Sequence, residues 1–199
     1  MYTLVGSPKT RAFRVLWALE ELGLEYDLVP DNPRGETAST LNPTGKIPSL
    51  KVGEATIIDS VAILQYLADK HGALTYEAGT LERAAQDSFT QFICDEIDGA
   101  LWTAARNKFV NPEEKRVPAI KDILIWEMER SLKALEQRLG DNEFLMGDKF
   151  TVPDILLTHC AGWMRGTGFP LESDTLRAYV RRNINRDAYK KADAIRNPA

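Results

Sequence analysis

Asp59-Ser60, standing before the apolar run Val61-Ala62-Ile63, has the residue types that hold a small charged ligand. Both are good helix N-caps. A helix start also turns unpaired backbone N–H groups toward a carboxylate, while Asp59 offers an anion to an ammonium group. Met side by side, the two demands suit the α-amino-acid end of a small molecule, and a cap can also be a ligand. Upstream, Asn42-Pro43-Thr44-Gly45-Lys46-Ile47-Pro48 reads as a loop entering an apolar strand. A proline at the mouth of a strand cannot donate to the ladder, and a cis bond there would turn the adjacent carbonyl and amide outward. Ile47 would then pair its backbone with a bound peptide as an added strand does. An ordinary trans proline opening an edge strand is the alternative.

A third segment, Gly6-Ser7-Pro8-Lys9-Thr10-Arg11, lies between a strand and a helix, where an α/β unit opens its usual ligand crevice. A hydroxyl there, aided by the helix N-terminus and by Lys9 or Arg11, can stabilise a thiolate by donating a hydrogen bond. The plain alternative is a Ser-Pro/Thr helix entry with solvated cations. Other chemistry-bearing residues are isolated. His71 and His159 have no metal-ligand or triad partner at recognisable spacing, and both read as structural. No CxxC supports dithiol exchange, and zinc spacings and Gly-rich phosphate loops are missing. Thr151-Val152-Pro153-Asp154 fits a capping box with Asp in place of the usual Glu or Gln, which reads as a structural helix nucleus.

The elements that must position these groups follow from periodicity. Strand and helix signals alternate over the first seventy residues: strand Met1 to Val5, helix from about Thr10 to Leu22, and strand Glu25 to Val29. A polar stretch with at most a short helix follows to Leu41. Strands Ile47–Val52 and Ala55–Ile58 flank a two-residue connection compatible with a hairpin, and a helix from Asp59 to His71 closes the unit. That order implies an α/β layer with one crossover and one hairpin in a mixed sheet. Residues 73–80 read as a linker between a domain at 1–72 and an all-helical domain at 81–199. In the latter, long helices are expected over Leu81–Phe109 and Pro118–Leu139. Shorter ones are expected near Val152–Arg165, Thr175–Arg182 and Arg186–Ala194.

Composition narrows the classes further. The 199 residues, 44% hydrophobic and 27% charged, suffice for proper cores. A net charge of −4 gives no electrostatic footprint for nucleic acid. No apolar run approaches the roughly 18 residues that span a bilayer. The N-terminus reads as a strand rather than a signal peptide, so Cys94 and Cys160 are expected as buried thiols and the protein as cytoplasmic.

In this order, the pieces resemble the cytosolic glutathione S-transferase family over essentially the whole chain. The resemblance rests on Ser7-Pro8 after the first strand, Leu19-Glu20-Glu21-Leu22-Gly23 ending the first helix, and Asn42-Pro43-x-Gly-Lys46-Ile47-Pro48 before the third strand. Asp59-Ser60-Val61-Ala62-Ile63 continues it, as do Phe150-Thr151-Val152-Pro153-Asp154-Ile155 and Arg186-Asp187-Ala188-Tyr189. It implies a thioredoxin-like α/β N-terminal domain followed by an all-α domain. It also implies glutathione as co-substrate with no metal, and a cytoplasmic homodimer that detoxifies small hydrophobic electrophiles, with peroxidase activity as a variant. Ile47 would supply the backbone pair to the cysteinyl part and Pro48 would be cis. Asp59, where the family commonly has Glu, and Ser60 would hold the γ-glutamyl end, and Lys46 would approach the glycyl end. Members activate the thiol with Tyr, Ser or Cys. Gapless registration on bacterial cysteine-bearing members places Arg11 at the cysteine, whereas Ser-Pro registration favours Ser7. Thr10 is a third candidate, and Tyr2 lies too early in the strand. Trp102 and Arg106 would wall the electrophile pocket. The competing implication is a glutathione-binding or protein-interaction module of the same fold with little chemistry.

Overall fold

The computed structural model describes residues 1–198, which divide into two compact units: 1–78 together with 184–198, and Gly79–Asn183. In the first unit, Leu4, Leu50 and Ile57 stand in register across three neighbouring strands. These are β1 (Tyr2–Val5), β3 (Ser49–Val52) and β4 (Ala55–Ile58). With β2 (Tyr26–Val29) parallel to β1 and both hairpin strands antiparallel, the sheet runs β2-β1-β3-β4. Helix α1 (Ala12–Glu21) packs on α3 (Ser60–His71), and the short α2 (Glu36–Leu41) lies between β2 and β3. This is the mixed sheet with one crossover that the element order implies.

Two boundaries differ from the periodicity in ways that matter. Helix α1 begins at Ala12 rather than Thr10: Arg11 is its N-cap residue, and Thr10 stays in the preceding turn, where its hydroxyl receives the Ala12 amide. Strand β3 begins at Ser49 rather than Ile47, since ladder pairing starts at Val5 opposite Ser49.

The C-terminal helix α9 (Asp187–Arg196) packs on α1 inside the first unit, not with the helical segment that precedes it in sequence. Tyr189 sets its ring edge-on to Trp17 and Phe13, with centroids 4.9 and 5.3 Å away. Arg186 holds Glu21 through two bonds of 2.6 and 2.8 Å, and Trp17 Nε1 donates to the same carboxylate. The apolar face of α1 recruits this helix, a packing that no local pattern announces.

In the second unit, α4 (Leu81–Phe92) starts at a Thr80 cap and passes into wider, i+5-bonded turns at Ile93–Asp98. Helix α5 (Gly99–Ala105) follows, then a second wide stretch at Arg106–Val110. The single expected helix is therefore interrupted twice, the first wide stretch ending at Gly99 and the second at Asn111 before Pro112. Next come α6 (Ile120–Leu139), α7 (Val152–Thr167) and α8 (Asp174–Ile184). Leu124, Met128, Leu135 and Leu139 line the buried face of α6, while nearly every residue of the first half of α7 is buried. Among the described residues, no helix is long and apolar enough to cross a membrane.

The start of α7 is sealed. Asp154 receives the amides of Leu145 and Thr151 at 2.9 and 2.7 Å, and the hydroxyls of Thr151 and Tyr179 at 3.0 and 2.6 Å. Burial pushes the Asp154 carboxyl above its ordinary range, against the downward pull of these bonds.

Candidate functional site

Sheet register gathers the three chemistry-bearing segments. Val5 pairs with Ser49, which pairs with Ile58. Because β3 runs against both neighbours, the exit of β1, the entry of β3 and the exit of β4 share one end of the sheet. Gly6-Ser7, Ile47-Pro48 and Asp59-Ser60 therefore emerge together. Gly6 shows how closely: with φ at +143°, a methyl group built on it would lie 3.1 Å from the Cβ atoms of both Ile47 and Ala12. That φ and that spacing together favour glycine. Tyr2 belongs to the opposite end, where its hydroxyl lies 2.9 Å from His71 Nε2 at the close of α3.

The Ile47–Pro48 bond is cis, as the resemblance implied. Pro48 is buried and Ile47 half-buried, and no backbone bond among the described residues takes the Ile47 amide or carbonyl. Asn42 organises this loop, a role that reading Asn42-Pro43 as the entry of a loop does not give it. Its side chain donates to the Lys46 carbonyl at 2.9 Å and receives the Thr44 amide and hydroxyl at 3.0 and 2.9 Å. Buried to 4% exposure, it fixes the peptide that leads into Ile47 and leaves the Lys46 side chain exposed. Asn-Pro was the available signal, but a turn reading of it conceals this inward role. The amide of Arg34 donates to Gly45, which lays the loop between β2 and α2 against the same segment.

Asp59 caps α3 directly, with Oδ1 receiving the Val61 and Ala62 amides at 2.8 and 3.2 Å. The helix start thus offers a ligand fewer free amides than a bare N-terminus would. Asp59 is exposed and held at φ +73°, ψ 128°, a conformation unusual for a residue with a Cβ. Such strain costs about 1–3 kcal/mol and clusters at binding sites. Ser60 is buried, and its Oγ receives Arg14 Nη1 at 3.4 Å. Arg14 itself is 1% exposed, on the inner face of α1. In sequence it is one more cation in an amphipathic helix, so nothing local could have marked it.

The three activation candidates separate by where their protons go. Thr10 Oγ1 donates to the Ser7 carbonyl at 2.7 Å and accepts from the Ala12 amide at 3.2 Å, so both of its functions are used locally. Among the described residues, Ser7 Oγ accepts only a long contact from the Lys9 amide, at 3.4 Å, which leaves its O–H available. The amides of Thr10, Phe13 and Arg14 are bonded within the turn, so the helix start acts here through its dipole rather than through open N–H groups. Arg11 is half-buried at the head of α1, and Lys9 is exposed.

Trp102 and Arg106 belong to the second unit, where the Arg106 guanidinium stands 5.9 Å from the Trp102 ring centroid and donates to Thr103 Oγ1 at 3.0 Å. Neither cysteine is in a disulfide; Cys160 is buried, whereas Cys94 is half-buried rather than buried as expected.

Comparison with known proteins agrees with this architecture. The family model "Glutathione S-transferase, N-terminal domain" matches residues 10–70, and "Glutathione S-transferase, C-terminal domain" matches residues 126–182. A glutathione transferase of Methylococcus capsulatus superposes with a TM-score of 0.87 at 27% identity, over 100% of both chains. A sphingomonad glutathione S-transferase in complex with glutathione reaches 0.85 at 27% identity, over 99% of this chain and 100% of its own. Elongation factor 1-gamma 3 of Oryza sativa is 29% identical over 77% of this chain, which spans only 38% of that relative's length. The matched domains and the shared fold carry one conclusion: this chain belongs to the glutathione S-transferase family.

Proposed function

We propose that the chain binds glutathione in its first unit, activates the thiol as thiolate, and transfers it to small hydrophobic electrophiles. The observation that carries this reading is the convergence of an open Ile47 backbone, the Asp59-Ser60 helix start and an uncommitted Ser7 hydroxyl at one end of the sheet. The Ile47 amide and carbonyl pair with the cysteinyl residue in the manner of an added strand. Ser60 donates to the γ-glutamyl carboxylate, Asp59 accepts from its ammonium group, and Lys46 attracts the glycyl carboxylate. The cis Pro48 belongs to the same cradle. Ser7 is the group we assign to the thiol: an O–H donated to sulfur stabilises the thiolate over the thiol and lowers its pKa. Arg11 adds positive charge nearby, and Thr10 maintains the turn.

The thiolate then attacks an electrophilic carbon, forming a C–S bond as the leaving group departs with its electron pair; a hydroperoxide is the alternative acceptor. Trp102 and Arg106 are proposed walls for that second substrate. A homodimer, a cytoplasmic location and a detoxifying role complete the proposal.

A second reading is favoured by the similarity to elongation factor 1-gamma: a glutathione-binding or protein-interaction module with little turnover. Retention on immobilised glutathione, followed by a conjugation assay with an activated chloronitrobenzene, separates the two. Retention with turnover is expected. Retention without turnover favours the module, and no retention contradicts both.

A further inference from the structure

Arg14 is a buried charge in the first unit. A guanidinium at 1% exposure is rare unless it is paired, because desolvation opposes its burial. Its Nη1 crosses from the inner face of α1 to the first residue of α3 and donates to Ser60 Oγ at 3.4 Å. Ser60 is itself 3% exposed, so the pair forms a buried link directly behind the helix start that Asp59 caps.

Two consequences follow from chemistry. A hydroxyl has one proton and two lone pairs. With one lone pair facing a cation, the Ser60 proton turns away from Arg14, which makes the hydroxyl a donor toward whatever reaches the head of α3. Arg14 also adds positive charge behind the end of the helix that already carries a partial one. Both effects favour an anion over an ammonium group at Ser60, while exposed Asp59 provides the complementary preference beside it.

We propose that Arg14 is a positioning residue for ligand recognition: it orients the Ser60 hydroxyl as a donor and so sets the site's selectivity for an α-carboxylate over its absence. The inference rests on the glutathione reading of the site. It assigns Arg14 no contact with the ligand; its effect passes through Ser60.

The test is calorimetric titration with two ligands, glutathione and γ-aminobutyryl-cysteinyl-glycine, which lacks only the γ-glutamyl α-carboxylate. Wild type is expected to prefer glutathione, and Ser60→Ala to lose about tenfold of that preference, the worth of a hydrogen bond to a charged group. Arg14→Met should lose a similar factor, with no further loss in the double variant, and Arg14→Lys should restore part of it. A merely structural Arg14 would weaken both ligands equally and leave the preference intact, which would overturn the assignment. Where Arg14→Met does not fold, Arg14→Lys and Ser60→Ala decide: undiminished preference in Ser60→Ala also overturns it. Wild type binding neither ligand would contradict the reading of the site itself, an outcome distinct from a failure of Arg14.

Discussion

The starts of α3 and α7 are written in similar residues and do opposite things. At α7, Thr151 and Asp154 are wholly buried, and the Asp154 carboxylate receives four donors from its own chain. At α3, Asp59 is exposed, receives two amides, and sits in a backbone conformation unusual for its type, while Ser60 receives a buried cation from behind. The first has no unmet hydrogen-bonding demand and serves to lock Leu145, Tyr179 and the helix together. The second leaves the Asp59 carboxylate exposed beside a buried Ser60 hydroxyl. Capping chemistry becomes structure or recognition according to what the rest of the fold places around it.

The largest expected effect breaks the closed end. Asp154→Ala strips the acceptor from buried amides and hydroxyls, each worth about 1–3 kcal/mol when left unpaired, so thermal unfolding should shift strongly downward. Asp154→Asn sharpens the point through pH. Burial raises the folded-state pKa of Asp154, so its contribution is complete below the ordinary carboxylate range and is lost as pH rises through the raised value. Unfolding free energy followed against pH should show that component in wild type and not in Asp154→Asn.

At the open end the balance reverses. Asp59→Asn keeps a cap acceptor but removes the charge, so stability should change by less than about 0.5 kcal/mol. Glutathione affinity, read by calorimetry, should fall about tenfold. A stability loss comparable to that of Asp154→Ala would show that the two helix starts do the same job. Thr10→Ala, in the turn before α1, removes one donated and one accepted local bond, so it should cost about 1 kcal/mol in chemical denaturation and leave the bound thiol's pKa unchanged.

The sequence carried the alternation of strands and helices, the loop ahead of Pro48 and the Asp59-Ser60 head, because each is local: a turn residue, a cap, a period of two or 3.6. It did not carry Arg14, whose partner lies 46 residues away, nor Asn42 as the brace of the Lys46 carbonyl. It missed α9 on α1 for the same reason, since the Glu21–Arg186 pair joins residues 165 apart. Ser7, Thr10 and Arg11 could not be ranked from type and spacing, because what distinguishes them is the direction of a proton. The Thr10 proton turns inward to the Ser7 carbonyl, whereas that of Ser7 is uncommitted.

That distinction is tested most directly by the pKa of glutathione's thiol when bound, followed through the ultraviolet absorbance of the thiolate as pH is varied. In Ser7→Ala the bound thiol should titrate about one unit higher than in wild type, the loss of one donated hydrogen bond, while affinity stays within about twofold. An unchanged titration in Ser7→Ala would contradict the account and move the activating role to Arg11 or Thr10.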